Sequence, residues 1–334
     1  MAHLPFNMAL MQFLADHRNV ALTRIFLAAT FAGEVEGYIL IVTFIYVVFD
    51  KSLAIRLSVL LLLTMCLNHI LKIIIKNPRP FVRERTYLKK WAISSNTAKE
   101  LVTEYSTPSG HAMAGAAFYT YLYALVNNRY VRVIAVLAVL LTGLSRPYLG
   151  VHYLEDILIG WVIGLCVALV AVKFADEISD EWDKLPYTRQ VGIALAASMA
   201  LWLVTIAING WRIDGQPRAF LGYAGALTGI VIAVPLELAN LNFDPGSSNV
   251  ASKILRYIIS VCMVIATLWL LGAVFEAIAD NFSVLGYLLQ YVRYTIAGIV
   301  NMFLAPLCFT KLGLARTNSP IGMPLTIGSA QAAE

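Results

Sequence analysis

One short segment between two apolar runs carries a histidine, an acid and an arginine that together could act on a phosphate group. It reads Ser145-Arg146-Pro147-Tyr148-Leu149-Gly150-Val151-His152-Tyr153-Leu154-Glu155-Asp156. If a helix begins near His152, then His152 and Asp156 share one face, and the carboxylate can fix the imidazole tautomer and stabilise its charged form. The planar guanidinium of Arg146 offers several donors to phosphate oxygens. A single histidine near a helix end is more often an ordinary hydrogen-bonded residue, so the hypothesis needs support from elsewhere in the chain.

A second segment, Lys72-Ile73-Ile74-Ile75-Lys76-Asn77-Pro78-Arg79-Pro80, could supply two further positive charges. Lys72 and Arg79 are separated by about two helical turns, so both can reach one pocket at the end of a helix. An ammonium acts as a point charge and a guanidinium as a fork, and both complement phosphoryl oxygens. The alternative is that a lysine here only extends towards lipid headgroups, an interpretation that we favour for Lys76.

The third segment, Pro108-Ser109-Gly110-His111, is typical of the start of a helix. Unpaired backbone N–H groups and the helix dipole favour an anion there. Ser109 adds a hydroxyl donor, Gly110 allows a close approach to the backbone, and His111 could protonate a leaving oxygen as a general acid. An ordinary helix cap would explain Ser109 but not the other residues.

Together the segments form one pattern: lysine, six residues, Arg-Pro; then Pro-Ser-Gly-His; then Ser-Arg, five residues, His, three residues, Asp. This pattern resembles that of the type 2 phosphatidic acid phosphatase superfamily, the membrane lipid phosphate phosphatases. The match runs from Lys72 to Asp156 with no departure at the key positions, and it specifies the reaction far better than the substrate.

The resemblance implies a role for each residue of the pattern. His152 would attack phosphorus to form a phosphohistidine while Asp156 orients it, and His111 would protonate the departing alcohol and then assist water. The phosphoryl oxygens would be held by Lys72, Arg79, Ser109, Gly110 and Arg146. The resemblance also implies that the reaction needs neither a metal nor another cofactor.

The composition indicates which elements must position these residues. The 334-residue chain is 59% hydrophobic and only 13% charged, with a mean hydropathy of +0.73, whereas a soluble chain has roughly a quarter charged residues. Apolar runs that approach ~20 residues recur along it, as in a polytopic membrane protein. The formal net charge of +5 is modest and does not indicate a nucleic-acid partner. The four cysteines match no zinc or redox pattern, and we expect them to be buried.

We therefore predict an all-α, polytopic transmembrane bundle of about nine spans, with a phosphatase core followed by extra C-terminal helices. Residues 1–33 would form an interfacial amphipathic segment, 34–176 the core, 177–316 the additional helices and 317–334 a flexible tail. The spans are expected near residues 37–49, 53–75, 109–128, 131–144, 153–174, 191–208, 218–236, 254–275 and 291–309.

Smaller features refine this layout. Pro78 and Pro80 should end the second span, and the acidic stretch Asp176–Asp183 is expected to be a solvated loop. Asn68 and His69 are interpreted as a helix–helix hydrogen-bonding pair in preference to part of the site. Glycines at near-helical spacing are interpreted as close helix contacts in preference to a phosphate loop; they are Gly160, Gly164, Gly222, Gly225 and Gly229.

The connectivity of nine spans predicts where the site lies. Following the chain up and down puts all three segments on the membrane face that also holds the N-terminus, with the C-terminus opposite. Basic residues in the short connections of the other face make that face cytoplasmic under the positive-inside rule, so the site should face the non-cytoplasmic side. Those residues are Lys51, Arg56, Arg129, Arg132, Lys173, Lys253, Arg256, Lys311 and Arg316.

The expected function is hydrolysis of a lipid phosphate, such as a sphingoid phosphate, phosphatidate, or a polyprenyl phosphate or diphosphate. The nine-span layout is similar to the sphingosine-1-phosphate phosphatase and glucose-6-phosphatase branches of the superfamily. The expected partners are an amphiphilic phosphorylated lipid and membrane lipids, with no nucleic acid, and the oligomeric state stays open. The alternatives are a phosphatase of a soluble sugar phosphate, a lipid phosphotransferase, and a flippase or transporter that does no chemistry.

Overall fold

Every element of the part of the chain that the structure describes is a helix, which confirms the all-α prediction. The computed structural model describes residues 7–83, 101, 104–212 and 219–318. The helices are α1 (Asn7–Asp16), α2 (Val20–Ala32), α3 (Val35–Phe44), α4 (Lys51–Ile75), α5 (Pro80–Arg83), α6 (Gly110–Leu125), α7 (Arg129–Leu149), α8 (Leu154–Asp183), α9 (Tyr187–Ile208), α10 (Ala219–Asn240), α11 (Val250–Ile278), α12 (Val284–Ile299) and α13 (Ala305–Lys311), with π-helical turns at Ile45–Phe49 and Val300–Leu304.

The helices confirm a multi-pass membrane protein. By length and composition, seven of the described helical segments could cross a bilayer, and the consecutive helices α2 and α3, bent by 66°, could form an eighth. The predicted span at residues 109–128 is helix α6, which has 16 residues. The seven long helices, the bent pair and α6 together give about nine spans, as expected. The interfacial role predicted for residues 1–33 stays a prediction.

The chain divides into two compact units. The first comprises Met1–Tyr38 and Leu63–Ala175 and contains all of the predicted site residues, and the second comprises Ile39–Leu62 and Asp176–Glu334. The four-part division expected from the sequence stays a prediction. In the second unit, a partly buried ion pair joins Lys51 to Glu237 with a separation of 3.0 Å between Nζ and Oε2.

Prolines decide where two of the long helices end. Helix α4 ends at Ile75, just before Pro78 and Pro80, as predicted. The prediction of a loop at Asp176–Asp183 is wrong, because α8 continues to Asp183. Acidic residues do not break a helix on a solvated face, and the first proline after the apolar run is Pro186, which disfavours helix at the residue before it.

Glycines let pairs of helices approach backbone to backbone. A Cβ added at Gly164 would lie 2.3 Å from the carbonyl oxygen of Met113, so α8 packs directly against α6, and Gly160 makes a similar contact one turn earlier. In the second unit, Gly225 and Gly229 of α10 approach the backbone of α12 equally closely. These contacts confirm the prediction of glycine-mediated helix packing.

The cysteines only partly follow the sequence prediction. Cys66 is buried, whereas Cys166 and Cys262 are exposed on their helices, so the expected burial is wrong for these two. Both lie in long apolar helices whose exposed faces are suited to lipid, where a small hydrophobic side chain needs no protein partner.

The α6–α8 contact can be tested with one substitution. Gly164→Ala should lower the free energy of unfolding by about 1–3 kcal/mol, because the new Cβ overlaps the Met113 carbonyl and forces the helices apart. Gly192→Ala is the control, since nothing lies within 4 Å of a Cβ there and alanine favours the helix. Thermal unfolding of both variants in one detergent measures the difference, and equal melting temperatures would contradict the contact.

Candidate active site

The three sequence segments meet at one end of the first unit. The backbone N–H of Ser109 donates to the carbonyl of Asp156 at 3.0 Å, which joins the start of α6 to the start of α8. The side-chain amide of Asn68 in α4 donates to the carbonyl of Pro108 at 3.1 Å. The Arg79 Nη1 donates to the carbonyl of Val151 at 3.3 Å. The ends of α4 and α7 and the beginnings of α6 and α8 therefore lie together, as the connectivity predicted.

Gly150 turns the chain between the arginine and the histidine of the first segment. It ends α7 with a φ of 84°, in the left-handed region that favours glycine. Its N–H donates to the carbonyls of Arg146 at 3.0 Å and Pro147 at 3.1 Å, which satisfies carbonyls that the helix end leaves unpaired. The tight cap leaves Arg146 in the last turn of α7 and brings His152 back beside it.

His152 and Asp156 pair as the sequence predicted, but not on a helix face. Helix α8 begins at Leu154, so His152 precedes it, and Asp156 reaches back from the first turn. The imidazole Nδ1 lies 3.3 Å from Asp156 Oδ2, and the backbone N–H of Tyr153 donates to the same oxygen at 2.9 Å. With Nδ1 as the donor to the carboxylate, Nε2 carries the lone pair that a nucleophile needs.

Two hydroxyl residues that the sequence analysis missed also bond the carboxylate of Asp156. The Ser106 hydroxyl donates to Asp156 Oδ2 at 2.5 Å and lies 3.2 Å from His152 Nδ1. The Thr107 hydroxyl donates to Asp156 Oδ1, and the Asn77 amide donates to that hydroxyl at 2.8 Å. Both residues directly precede the third segment, and hydroxyl side chains just before a site helix are the only signal that could have identified them.

The cations of the second segment face an acid that the sequence analysis did not assign to the site. Glu104 Oε2 accepts hydrogen bonds from Lys72 Nζ at 3.3 Å and Arg79 Nη2 at 2.9 Å. Burial alone would raise the pKa of Glu104, but the two positive charges outweigh it and lower the pKa to about 2. Glu104 is therefore a carboxylate at any physiological pH. Lys72 is buried and Lys76 is exposed, and the roles predicted for them stay predictions.

Arg79 also contacts the candidate nucleophile. Its Nη1 lies 3.0 Å from His152 Nε2, so in this state an arginine N–H covers the lone pair of the imidazole. Burial, together with the charge of Arg79, lowers the pKa of His152 well below its usual range. The imidazole is consequently neutral near pH 7, which is the form that can attack phosphorus.

Three of the predicted site residues each carry a buried polar atom without a hydrogen-bond partner among the described residues. These atoms are Ser109 Oγ, His111 Nε2 and Arg146 Nε. Buried polar groups in folded proteins are nearly always paired, so unpaired ones indicate a place for a ligand or for water. His111 is within electrostatic range of Arg146 and His152. Each of the three atoms could therefore bond a ligand oxygen or a water molecule.

Gly110 and Gly33 have steric roles at this site. Gly110 is buried, and a Cβ there would lie 3.3 Å from Asn68 Oδ1. The missing side chain of Gly110 therefore lets the start of α6 pack closely against α4. This contact and the Pro108 hydrogen bond join Asn68 to the start of α6, and the interpretation of Asn68 and His69 as a helix–helix pair stays a prediction. A Cβ added at Gly33, at the bend between α2 and α3, would lie 3.1 Å from His111 Cδ2. The sequence analysis did not connect the N-terminal helices with His111.

The described residues contain no group of three or more His, Cys, Asp and Glu side chains arranged to hold a metal ion. Three cationic side chains contribute positive charge at this site. Lys72, Arg79 and Arg146 are all buried there.

Comparison with protein families and known proteins gives two adjacent matches. The PAP2 superfamily matches residues 53–180, which include all three segments, and the PAP2 superfamily phosphatase transmembrane extension matches residues 221–317. The second match corresponds to the additional C-terminal helices.

Individual relatives are more distant. Sphingosine-1-phosphate phosphatase 1 of Mus musculus is 23% identical over 330 residues, which cover 89% of this chain and 74% of that protein. Phosphatidylglycerophosphatase B of Bacillus subtilis is 35% identical over 85 residues, or 23% of this chain and 42% of that protein. The crystal structure of a PAP2 type phosphatidylglycerolphosphate phosphatase from Bacillus subtilis is 24% identical and covers 51% of this chain and 84% of that chain, with a TM-score of 0.41.

The hydroxyl contacts to Asp156 can be tested by removing each donor. Ser106→Ala and Thr107→Val should each lower the free energy of unfolding by about 1–3 kcal/mol, because a buried carboxylate oxygen loses a hydrogen bond. Ser58→Ala is the control, since the Ser58 hydroxyl donates to the carbonyl of Ala54 within its own helix. Thermal unfolding in detergent gives the comparison, and an equal loss in all three variants would argue against the network.

Proposed function

Since this chain belongs to the PAP2 superfamily, we propose that it hydrolyses the phosphate or diphosphate of a membrane lipid through a phosphohistidine intermediate. The observation that carries the proposal is the junction of a neutral, acid-oriented imidazole at His152 with three buried cations, Lys72, Arg79 and Arg146. These groups lie where helices of a membrane protein end. A lipid phosphate at headgroup depth can reach them while its tail stays between helices.

In the first step, His152 Nε2 attacks phosphorus and the bond from phosphorus to the lipid oxygen breaks. Asp156 stabilises the positive charge that develops on the imidazole. His111, which takes up a proton when the phosphate dianion binds beside it, gives that proton to the departing oxygen. In the second step, the now neutral His111 takes a proton from water as that water attacks phosphorus. The bond from nitrogen to phosphorus then breaks, inorganic phosphate leaves, and both histidines return to their starting states.

The cations and donors stabilise the charge of the transition state. Lys72, Arg79 and Arg146 complement the equatorial phosphoryl oxygens, and Ser109 and the backbone at Gly110 add donors at the start of a helix. Phosphoryl transfer depends mainly on such positioning and electrostatics. We propose that the reaction is metal-independent because these side chains fill the role that metal ions fill in other phosphatases.

The substrate proposal rests on the relatives and on the membrane setting. The similar proteins are named for sphingosine 1-phosphate and for phosphatidylglycerophosphate, both of which carry a phosphomonoester on a lipid. We propose the same class here: a sphingoid phosphate, phosphatidate, or a polyprenyl phosphate or diphosphate. The amphiphilic substrate and the surrounding lipids are the partners that this function requires.

We also propose that the site faces the non-cytoplasmic side of the membrane. Basic residues in the short connections of the opposite face support this orientation. We leave Arg256 out of that group. It is fully buried in α11, where its guanidinium donates to the carbonyls of Asp244, Pro245 and Ser247. Labelling of a Lys76→Cys variant by a membrane-impermeant reagent on intact cells tests the orientation, because Lys76 is exposed just after the end of α4. Labelling only after permeabilisation would reverse it.

Removing the nucleophile tests the covalent mechanism. His152→Ala should lower phosphate release by about a thousandfold or more, as expected when a covalent nucleophile is lost. With substrate labelled in its phosphate, alkaline quenching of the wild type should leave label on the protein, because phosphohistidine survives alkali, and His152→Ala should carry none. His17→Ala is the matched control, since His17 is exposed just after α1 and its imidazole contacts the Phe13 carbonyl of that helix. Equal release by His152→Ala and wild type would exclude the mechanism.

A substrate panel tests the class of substrate. In detergent micelles, kcat/KM for sphingoid phosphate, phosphatidate or a polyprenyl phosphate should exceed that for glucose 6-phosphate by at least about a hundredfold, because burial of the lipid tail adds binding energy. A chelator should leave the rate unchanged. Equal rates for the sugar phosphate would favour a soluble substrate, and rates abolished by the chelator would contradict metal independence.

A further inference from the structure

The N-terminal helices α1 and α2 lie along the segment that carries Arg146 and His152. Hydrogen bonds join the two stretches at successive points, and the two stretches run in opposite directions along the contact. From the end of α2 back to the start of α1, the bonded pairs are Thr30 with Ser145 at 2.9 Å, Thr23 with Tyr148 at 2.9 Å, and Asn7 with Leu154 at 3.2 Å. The sequence analysis assigned none of these N-terminal residues to the site.

Arg18, in the connection between α1 and α2, makes the central contact. Its Nε and Nη2 both donate to the backbone carbonyl of Tyr148, at 3.0 Å and 2.6 Å. Tyr148 is in the last turn of α7, where carbonyls lack a donor from their own helix and a positive charge is favourable. The Gly150 N–H bonds the carbonyls of Arg146 and Pro147, and Arg18 bonds the next carbonyl along the chain. Arg18 therefore extends the cap of α7.

Tyr148 is held at both of its ends. Arg18 bonds its carbonyl, and Thr23 bonds its hydroxyl. Its ring, which is buried, packs against Phe26 with the centroids 4.4 Å apart. Tyr148 lies two residues before Gly150, where the chain turns from α7 towards the nucleophile, so the direction in which the chain leaves α7 depends on how firmly Tyr148 is held.

The turn at Gly150 connects two groups that are fixed to different helices. The imidazole of His152 pairs with Asp156 in the first turn of α8, whereas Arg146 belongs to the last turn of α7. The Arg146 carbonyl accepts hydrogen bonds from the N–H groups of Gly150 at 3.0 Å and Val151 at 3.1 Å. If the last turn of α7 frays, those bonds are lost and the guanidinium of Arg146 can move relative to the nucleophile.

We propose that Arg18 is a positioning residue, which keeps Arg146 and His152 in their relative places by holding the Tyr148 carbonyl at the end of α7. The inference rests on the proposed function in that Arg146 binds the phosphoryl group and His152 attacks it. Arg18 acts through the backbone and not on the substrate. Misplacing a reacting group by about 1 Å can lower the rate about a hundredfold, so a contact far from phosphorus can still control the chemical step.

Hydrogen exchange of the turn tests the contact without any turnover. Arg18→Met removes the charge and every donor of the side chain while keeping most of its length. In the full-length protein in a nonionic detergent, the backbone amides of Gly150 and Val151 should then exchange at least about tenfold faster, because the bonds to the Arg146 carbonyl open more often. Arg24→Met is the matched control, since Arg24 is an exposed arginine of α2, and it should keep the wild-type exchange rate.

Kinetics of the same variants separate positioning from stability. At a temperature well below unfolding, Arg18→Met should lower kcat for a lipid phosphate at least about tenfold and change KM by less than about threefold. Binding is kept because Lys72 and Arg79 belong to a different segment of the chain. Arg18→Lys should give an intermediate kcat, since it restores the charge and a single donor but not the guanidinium fork. A merely structural role would lower the unfolding temperature and leave kcat unchanged.

A second variant keeps the test decisive if Arg18→Met does not fold. Thr23→Val removes the hydrogen bond to the Tyr148 hydroxyl, which is the other hold on the same residue. It should also speed exchange at Gly150 and Val151 and lower kcat, by smaller factors than the loss of Arg18, because one neutral hydrogen bond is weaker than a charged pair of them.

Two results would overturn the inference: wild-type exchange at the turn in Arg18→Met, or a kcat for Arg18→Met that equals that of Arg24→Met. The exchange measurement also separates this inference from the proposed function. A protein that releases no phosphate from any lipid, but whose turn exchanges faster without Arg18, would disprove the proposed function and leave standing the role of Arg18 in holding Arg146 and His152 together.

Discussion

Positive charge buried at the end of a helical bundle is the constraint on which the rest of this structure depends. Lys72, Arg79 and Arg146 all lie in the interior of the first unit, and an unpaired buried charge costs several kcal/mol even after relaxation. Glu104 offsets two of these charges, while Arg146 keeps a buried Nε without a partner among the described residues. Under the proposed function, a bound phosphate would add negative charge opposite these cations.

The buried carboxylate of Asp156 connects the proposed catalytic histidine to the fold. Its carboxylate accepts hydrogen bonds from the Tyr153 backbone and from the hydroxyls of Ser106 and Thr107, and it pairs with His152. These donors come from the connection before α6 and from the start of α8, so the group that orients the imidazole also closes a tertiary contact. A substitution here would disturb stability and chemistry together.

Close helix packing makes that contact possible. Gly160 and Gly164 bring the backbone of α8 against that of α6, with no side chain between them. The start of α6, with Ser109 and His111, consequently reaches the start of α8, where His152 and Asp156 lie. In a bilayer, small residues favour such approaches because van der Waals packing replaces the hydrophobic effect between helices.

The sequence by itself determined the helical membrane fold, the proline-limited end of α4 and the grouping of the three segments. Apolar length, proline chemistry and the alternation of spans are all local or additive properties. Only the tertiary structure decided that Glu104 faces Lys72 and Arg79, that Ser106 and Thr107 bind Asp156, and that Asp156 reaches back to His152 from a helix that begins later than expected. These partners lie up to 50 positions apart in the chain. The partner of a buried polar group depends on which distant segments pack together, and hydropathy and periodicity carry no information about that.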